Sequence, residues 1–383
     1  MMLVTRNLPP LRGGMERLNQ HIAIELAARF DVCVVGPEGC RSELPVELEV
    51  REVRVRPLWR FLLQAWMHAM RFASMSRPQL VLAGSGLTAP IAVFAAWLAG
   101  GRSVVYAHGL DLVTRHPLYR ALWLPFLRRC DLCIVNSFNT GRLAEQVGVR
   151  RERITIIHPG VELPDPDDGG NGADFRRRYE LNGRKLLLSV GRLTARKGLL
   201  EFVRNALPKI VAACPDAMLV VIGDEAPDAL HRAGAGGASG IHECAHALGL
   251  DRHVLMLGAR SDEELAAAYA AADVCVFPLR DLPGDVEGFG MVAVESAAHG
   301  LPAVAFNVGG VADAIADGRS GWLVPAGDYD GLTERILQVL ETGRTSEVCA
   351  EARRFAETFE WQRFGIRLCE TLQPYLARPQ SSA

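Results

Sequence analysis

Long apolar runs are absent from this sequence of 383 residues, and lysine is nearly absent as well. No run approaches the roughly 18 to 20 apolar residues that a transmembrane helix requires. The first residues lead directly into a short strand pattern, without the apolar segment and small-residue cleavage site of a signal peptide. We therefore expect a cytoplasmic protein that does not span a membrane.

Paired cysteines are missing too. The nine cysteines are an odd number and lie scattered along the chain, several of them in apolar runs where a thiol behaves as a small hydrophobic group. Cys130 and Cys133 have the spacing of a metal or redox pair, but no second pair or nearby histidine completes a ligand set. The pattern predicts core thiols and no metal site.

Positive charge is unevenly distributed, although the net charge is only −2. Residues 1–158 carry 20 arginines, no lysine and 12 acidic residues, whereas residues 159–383 carry 22 basic and 32 acidic residues. A basic N-terminal half indicates an anionic partner such as a lipid surface. A genomic bias toward arginine explains the composition equally well, since the whole chain has only three lysines. We expect no nucleic-acid partner.

Strand-like and helix-like segments alternate along the chain in two successive sets. The apolar, β-branched runs are 30–35, 79–82, 103–106 and 132–135, then 185–190, 217–222, 253–257, 274–277 and 302–306. Such alternation is typical of parallel, doubly wound sheets, so we predict an α/β protein with two Rossmann-like domains. The Pro-, Gly- and Asp-rich stretch 161–172 predicts a linker between a first domain, 1–160, and a second, 173–360. Ligands of such sheets bind at the carboxyl ends of the strands, which predicts a cleft between the domains.

Glycines and basic residues follow two of these strands. Gly13 and Gly14 come after the first strand, before an amphipathic helix that we expect to reach about residue 30. Paired glycines let a backbone approach a ligand closely, and a helix N-terminus attracts phosphate. Arg192 and Lys197 follow the run 185–190, five residues apart in a turn bordered by glycines. Their spacing lets both cations converge on one anion, such as a diphosphate.

Two carboxylates follow the run 274–277. We predict Glu287 at the start of a helix, with Glu295 two turns further along the same side. A carboxylate accepts two hydroxyl hydrogens and suits the diols of sugars and ribose. Because the residues around Glu295 are apolar, its charge requires a partner.

Together these motifs resemble the retaining family-4 glycosyltransferases of the double-Rossmann (GT-B) fold. The resemblance covers nearly the whole chain in the family's order, through Gly13-Gly14, His108, Gly191-Arg192 with Lys197-Gly198, and Glu287-Gly-Phe-Gly290 with Glu295. The segment from Trp361 resembles the family's helix that crosses back onto the first domain, which assigns about 361–383 to that domain.

The resemblance implies a role for each matching residue. Arg192 and Lys197 would hold the donor diphosphate, and Glu287 would bind sugar hydroxyls. Glu295 would hold the ribose diol, and His108 would contact the transferred sugar. The other implied donor-binding residues are Gly13, Gly14, Gly258, Ala259, Arg260, Phe289, Gly290 and Met291.

The resemblance also implies a reaction. A hexose would pass from a GDP- or UDP-linked donor to a glycan or lipid-linked acceptor in polysaccharide, cell-envelope or glycolipid synthesis. The anomeric configuration would be retained, with neither a metal nor a further cofactor.

Other functions remain open at this stage. Gly84-Ser-Gly86-Leu-Thr-Ala89 fits the fingerprint of a nicotinamide dehydrogenase, although the expected acidic residue does not end the next strand. A nucleotide-sugar epimerase or phosphorylase could use the same fold. A non-catalytic sugar- or lipid-binding protein would not need the pair Arg192 and Lys197.

Two segments of the first domain combine aromatic residues with arginines, as expected of a protein at an anionic membrane surface. The first places Trp59, Leu62, Leu63, Trp66, Met67 and Met70 on one apolar helical stripe. The second, 115–129, mixes Tyr119, Trp123 and Phe126 with four arginines. The alternative is that both stripes pack on the sheet, as most apolar helical stripes do, or form a dimer contact.

Overall fold

The structure is a computed structural model that describes residues 1–164, 171–225 and 237–376. The chain divides into two units, of which one comprises residues 1–160 and the segment from Trp361, and the other residues 161–360. Residues 165–170 of the predicted linker and 377–383 of the C-terminal segment lie outside the described residues.

The first unit is built on a parallel sheet with seven strands among the described residues. Its strands are β1 (Met2–Val4), β2 (Cys33–Pro37), β3 (Glu49–Val53), β4 (Leu80–Ala83), β5 (Arg102–Ala107), β6 (Leu132–Val135) and β7 (Ile154–Ile156). Their spatial order is β3-β2-β1-β4-β5-β6-β7. The central strands are fully buried, as expected of a parallel sheet covered on both faces.

Helices connect these strands. They are α1 (Gly14–Ala27), α2 (Leu58–Ser76), α3 (Ala89–Ala99), α4 (Leu110–Val113), α5 (Pro117–Leu122), α6 (Leu124–Arg129) and α7 (Phe138–Gln146). α2 packs into the core through Phe61, Ala65, Ala69 and Ala73, which lie on one face because each is four residues from the next.

The second unit repeats the plan with six parallel strands among its described residues, in the order β10-β9-β8-β11-β12-β13. The strands are β8 (Lys185–Val190), β9 (Ala217–Ile222), β10 (Val254–Gly258), β11 (Val274–Phe277), β12 (Ala303–Phe306) and β13 (Gly321–Val324). The helices are α8 (Gly172–Arg178), α9 (Leu199–Asn205), α10 (Leu207–Ala213), α11 (Ala238–Ala247), α12 (Asp262–Ala271), α13 (Met291–Ala298), α14 (Val311–Ala314), α15 (Tyr329–Thr342) and α16 (Ser346–Glu357). The last helix, α17 (Trp361–Leu376), belongs to the first unit and packs on α1.

The predicted pair of doubly wound α/β domains is confirmed. The apolar, β-branched runs did not predict three of the strands, β3, β7 and β13. β3 is a sheet edge with mostly exposed side chains, β7 has three residues, and β13 begins with glycine and tryptophan. The first helix ends at Ala27, earlier than predicted.

Candidate active site

The second unit brings two predicted motifs to the point where its strand order reverses. β8 and β11 are neighbours, yet the sheet continues from β8 to β9 and β10, and from β11 to β12 and β13. Connections therefore leave these two strands in opposite directions, which opens a crevice beyond their carboxyl ends. The loop 191–198 follows β8 and the loop 278–290 follows β11, so both border this crevice.

These two loops touch through their backbones. Gly198 has a φ of 69°, and a Cβ atom built on it would lie 1.9 Å from the carbonyl oxygen of Pro278. Only glycine permits this approach. The backbone N–H of Arg280 also donates to the carbonyl of Arg196 at 2.8 Å. Side chains from one loop can therefore reach carboxylates of the other.

Four charged side chains form an ionic cluster across the two loops: Arg196, Lys197, Asp285 and Glu287. The Nε of Arg196 lies 3.0 Å from Oδ1 of Asp285, and its Nη1 donates to Oε2 of Glu287. The Nζ of Lys197 binds the same Oε2 at 2.8 Å. All four side chains are between 11% and 18% exposed, so the charges are balanced in a largely dry site.

The cluster changes the pKa values of its members. Burial alone raises the pKa of Glu287, but the charges and hydrogen bonds of Arg196 and Lys197 outweigh it and hold this pKa at about 2. Burial lowers the pKa of Lys197, although Glu287 opposes the shift. Glu287 is therefore ionised at neutral pH and can only accept hydrogen bonds.

Arg192 lies beside this cluster without joining it. Its side chain is exposed, and its charge contributes to the lowered pKa of Lys197, so the two cations are close, as their spacing predicted. The ammonium of Lys197 already contacts Glu287 and lies 4.6 Å from the centroid of the Phe277 ring. Sequence reasoning gave no role to Arg196 or Asp285. The one available signal was that a second cation directly precedes Lys197.

The predicted position of Glu287 at a helix start is wrong. Glu287 lies in the loop, because α13 begins only at Met291, after Gly290 at its N-cap with a φ of 97°. The loop is anchored by the N–H of Gly310, which donates to the carbonyl of Glu287 at 2.9 Å. Phe289 is buried in the core of this unit.

Glu295 has the partner that its apolar surroundings require. The hydroxyl of Tyr269, on α12, donates to Oε2 of Glu295 at 3.2 Å. The ring of His299 stacks on Tyr269, and its Nδ1 donates to the carbonyl of Glu295 at 2.9 Å. Tyr269 lies 26 residues before Glu295 and was not identified from the sequence.

Residues 258–260 lie at the end of β10. Gly258 has a φ of 69°, and the N–H of Ala259 donates to Oδ1 of Asp224 at 3.0 Å. Arg260 is half-buried, with its guanidinium 3.8 Å from Glu264 and donating to the carbonyl of Ala259. This loop shares the carboxyl edge of the sheet with the ionic cluster.

In the first unit, His108 is buried directly after β5. Its Nε2 lies 2.8 Å from the carbonyl oxygen of Gly84, which can only accept, so Nε2 carries a proton. The side chain of Asn19 donates to the same carbonyl at 3.1 Å. The backbone N–H of His108 donates to Asp111 at 3.1 Å. Both histidine and asparagine thus hold the loop after β4.

Gly13 and Gly14 follow β1, which neighbours β4 at the reversal of strand order in this unit. A Cβ atom on Gly13 would lie 2.4 Å from Oε2 of Glu16, and Gly14 begins α1. The first strand–helix turn thus carries these two glycines. The alternative dehydrogenase fingerprint from Gly84 follows β4, which is not the turn where that fingerprint is found.

Two family models match successive parts of the chain. The family described as "Glycosyltransferase Family 4" matches residues 12–164, and "Glycosyl transferases group 1" matches residues 173–355. Among solved structures, the Anabaena protein HepE in complex with UDP-glucose has a TM-score of 0.78 and 20% identity, over 98% of this chain and all of that chain. The catalytic domain of starch synthase IV from Arabidopsis thaliana, bound to ADP and acarbose, has a TM-score of 0.77 and 13% identity, over 98% and 99%. These likenesses establish the GT-B fold.

Similarity in sequence extends over nearly the whole length of one relative and over about half the length of another. A GDP-mannose-dependent alpha-(1-6)-phosphatidylinositol monomannoside mannosyltransferase of Mycolicibacterium smegmatis is 28% identical over 97% of this chain and 98% of its own. A D-inositol 3-phosphate glycosyltransferase of Rhodococcus jostii is 31% identical over 63% of this chain and 52% of its own. The resemblance inferred from the motifs is confirmed, and the two family models together span most of the sequence. The chain belongs to the family-4 glycosyltransferases and is a glycosyltransferase of the GT-B fold.

Proposed function

We propose that this glycosyltransferase moves a hexose from a GDP- or UDP-linked donor to a lipid-linked or glycan acceptor, with retention of configuration. The observation that carries the proposal is the ionic cluster of Arg196, Lys197, Asp285 and Glu287 at the crevice between β8 and β11. Relatives named for GDP-mannose and a structural neighbour holding UDP-glucose support both donor classes.

The proposed donor site divides its tasks among cations and carboxylates. Arg192, which is exposed, and Lys197 neutralise the departing diphosphate. Glu287 accepts hydrogen bonds from hydroxyls of the hexose, because it is ionised at neutral pH. Glu295 accepts from the ribose diol, and Gly258, Ala259 and Arg260 lie along the base. His108 contacts the transferred sugar, and the backbone at Gly13 and Gly14 approaches the donor.

The proposed chemistry is attack on the same face as the departing group. The leaving phosphate takes the proton of the acceptor hydroxyl, so no side chain needs to act as nucleophile. Two cations serve the diphosphate, so we propose that turnover needs no metal.

A panel of nucleotide sugars tests the function. We expect GDP- or UDP-hexoses, but not nicotinamide dinucleotides, to raise the melting temperature, and radiolabelled hexose to appear in an added glycan or lipid acceptor. Conversion of the donor to another nucleotide sugar without acceptor would instead identify an epimerase. Binding without transfer or hydrolysis in every combination would contradict the proposal.

We further propose that the enzyme is cytoplasmic and docks on the inner membrane face through α2 and its neighbours. No helix among the described residues has the length and apolar character to span a bilayer. The stripe predicted on α2 divides: Leu62, Trp66 and Met70 pack against the core, whereas three residues at four-residue intervals are exposed. Those three are Trp59, Leu63 and Met67, at 66%, 53% and 53% exposure.

Two further helices of the same unit expose large apolar side chains. α3 packs on α2 and presents Trp97, which is 78% exposed, while α5 presents Leu118 and Leu122. The aromatic residues predicted for segment 115–129 face inward: Phe126 packs near Phe94, and Trp123 donates to the carbonyl of Leu87. Its four arginines are exposed. Each arginine near an anionic surface contributes about 1 kcal/mol to binding.

Flotation with phosphatidylglycerol-containing vesicles measures this docking. We expect wild type to float at low salt and to be released as salt rises, because its arginines are screened. The triple variant Trp59→Ser, Leu63→Ser, Met67→Ser should stay at the bottom, whereas Val46→Ser, at another exposed apolar position, should float. Wild type that fails to float at low salt would favour a soluble acceptor. Flotation of the triple variant would place the docking surface elsewhere.

A further inference from the structure

We propose that Arg196 is a positioning residue that fixes the carboxylate of Glu287 so that its Oε1 faces the donor hexose, and that it thereby governs sugar selection. This inference rests on the donor site proposed above. It assigns a function to a side chain that the sequence motifs leave without one.

The guanidinium of Arg196 joins two carboxylates of the opposite loop. Its Nε binds Asp285 at 3.0 Å while its Nη1 binds Glu287, so one planar group sets the separation of both acids. Lysine, a point charge, cannot bridge two carboxylates in this way. The carbonyl of Arg196 accepts the N–H of Arg280, which joins the same two loops a third time.

The two oxygens of Glu287 are used differently. Oε2 accepts from both Arg196 and Lys197. Oε1 takes part in neither of these two contacts. Because Glu287 is ionised, Oε1 can accept a further hydrogen bond, and a hydroxyl of a bound sugar can donate it.

Lys197 alone would balance the charge of Glu287, but it would not fix the orientation of the carboxylate. An ammonium offers three donors around a rotating bond, whereas the guanidinium has fixed geometry. Without Arg196, the carboxylate could turn about its contact with Lys197. Lys197 would then be the one cation of the cluster left to balance Glu287, while it also serves the donor diphosphate together with Arg192.

Arg196→Lys tests positioning because it keeps the charge. We expect kcat for transfer to fall on the order of 10- to 100-fold, since small misplacements of reacting groups have effects of this size. Discrimination between hexose epimers should weaken, while calorimetric affinity for bare GDP or UDP should change less than about threefold. Arg280→Lys is the matched control, because Arg280 pairs with Glu201 and its side chain does not contact Glu287.

A pH profile separates positioning from a general loss of structure. Glu287 faces Arg196 and Lys197 from the loop after β8, with Asp285 on its own loop and Arg192 beside Lys197. Arg196→Gln removes one of two cations that lower the pKa of Glu287, so this pKa rises. The acid limb of kcat/KM should then move to higher pH. Arg196→Lys should leave that limb near the wild-type position.

The outcomes distinguish a failure of this inference from a failure of the proposed function on which it rests. Wild type that binds neither GDP nor UDP would defeat the proposed donor site itself. With wild-type binding and transfer intact, an Arg196→Lys enzyme with unchanged kcat and hexose selectivity would overturn the positioning role. Equal losses of diphosphate affinity and kcat would also overturn it, by showing that Arg196 serves the phosphates.

A second variant covers the case in which Arg196→Lys lowers the melting temperature. Asp285→Asn, which removes only the contact of Arg196 with Asp285, should still weaken hexose selectivity. Wild-type selectivity in Asp285→Asn would then overturn the inference.

Discussion

Lys197→Ala should lower the rate of hexose transfer roughly 30- to 1000-fold, because a charge-assisted contact in a partly dry site contributes about 2 to 4 kcal/mol to transition-state binding. Its side chain is only 18% exposed and its ammonium lies 2.8 Å from Glu287, so solvent does not readily replace the charge. The protein should stay folded, since Arg196 still balances Glu287. Arg192→Ala should act in the same direction without affecting the melting temperature, because its side chain is exposed.

The chain offers a close control in Lys209, one of its three lysines. Lys209 pairs with Asp330 on the surface of the same unit, and both side chains are more than half exposed. Lys209→Ala should therefore retain wild-type kcat/KM. Steady-state kinetics with the preferred donor measure kcat/KM for both lysine variants. Wild-type kcat/KM in a folded Arg192→Ala, Lys197→Ala double variant would contradict the assignment of these two cations to the donor diphosphate.

Glu287→Ala and Glu295→Ala should fail in different ways. Removing Glu287 leaves Arg196 and Lys197 buried with Asp285 as the remaining carboxylate of the cluster. Breaking a buried ion pair in this manner costs about 3 to 5 kcal/mol of the free energy of unfolding. In Glu287→Ala, the rate of hexose transfer and the discrimination between sugars should also fall, whereas affinity for the free nucleoside diphosphate should persist. Glu295→Ala should instead weaken binding of the free nucleoside diphosphate, because it removes the proposed ribose contact.

Calorimetry with bare GDP and UDP, together with urea unfolding, separates the two variants. Asp330→Ala, which removes an exposed carboxylate paired with Lys209, is the control for stability. The pKa of Glu287 is lowered from 4.5 to about 2, so its stabilising effect is complete above pH 4.5 and is lost as the pH falls through about 2. Equal loss of diphosphate affinity in both variants would contradict the division of roles.

Glu287 and Glu295 also show which contacts of a site residue the local sequence can predict. The apolar stretch around Glu295 indicated that its carboxylate needs a partner, but not that the partner is Tyr269 on the preceding helix. For Glu287, the sequence indicated no ionic partner, and Arg192 and Lys197 were assigned to the donor diphosphate instead. Arg196 contacts Glu287 across 91 residues of chain because three crossover connections, from β8 through β9 and β10 to β11, bring their loops together. Spacing within a turn does not reveal which of two consecutive cations points inward.

The apolar stripe on α2 illustrates the same limit. Helical periodicity placed Trp59, Leu62, Leu63, Trp66, Met67 and Met70 on one broad face, but the neighbouring helix and the sheet determine which part is covered. Small alanines at positions 65, 69 and 73 allow the helix to lie close to the core, which leaves Trp59, Leu63 and Met67 exposed. Amino-acid type alone did not distinguish the buried edge of the stripe from the exposed one.

The sequence by itself determined the doubly wound architecture, because apolar β-branched runs alternating with helical segments can bury their surfaces only in parallel sheets covered on both faces. It also determined the family, because its glycines, cations and carboxylates follow strands in a specific order. Only the tertiary structure decided the edge strands β3, β7 and β13, the ionic cluster around Arg196, the hydrogen bond of His108 to the carbonyl of Gly84, and the exposed face of α2. Each of these depends on contacts between residues far apart in the chain, and the free energy of such contacts arises only when the sheet brings them together.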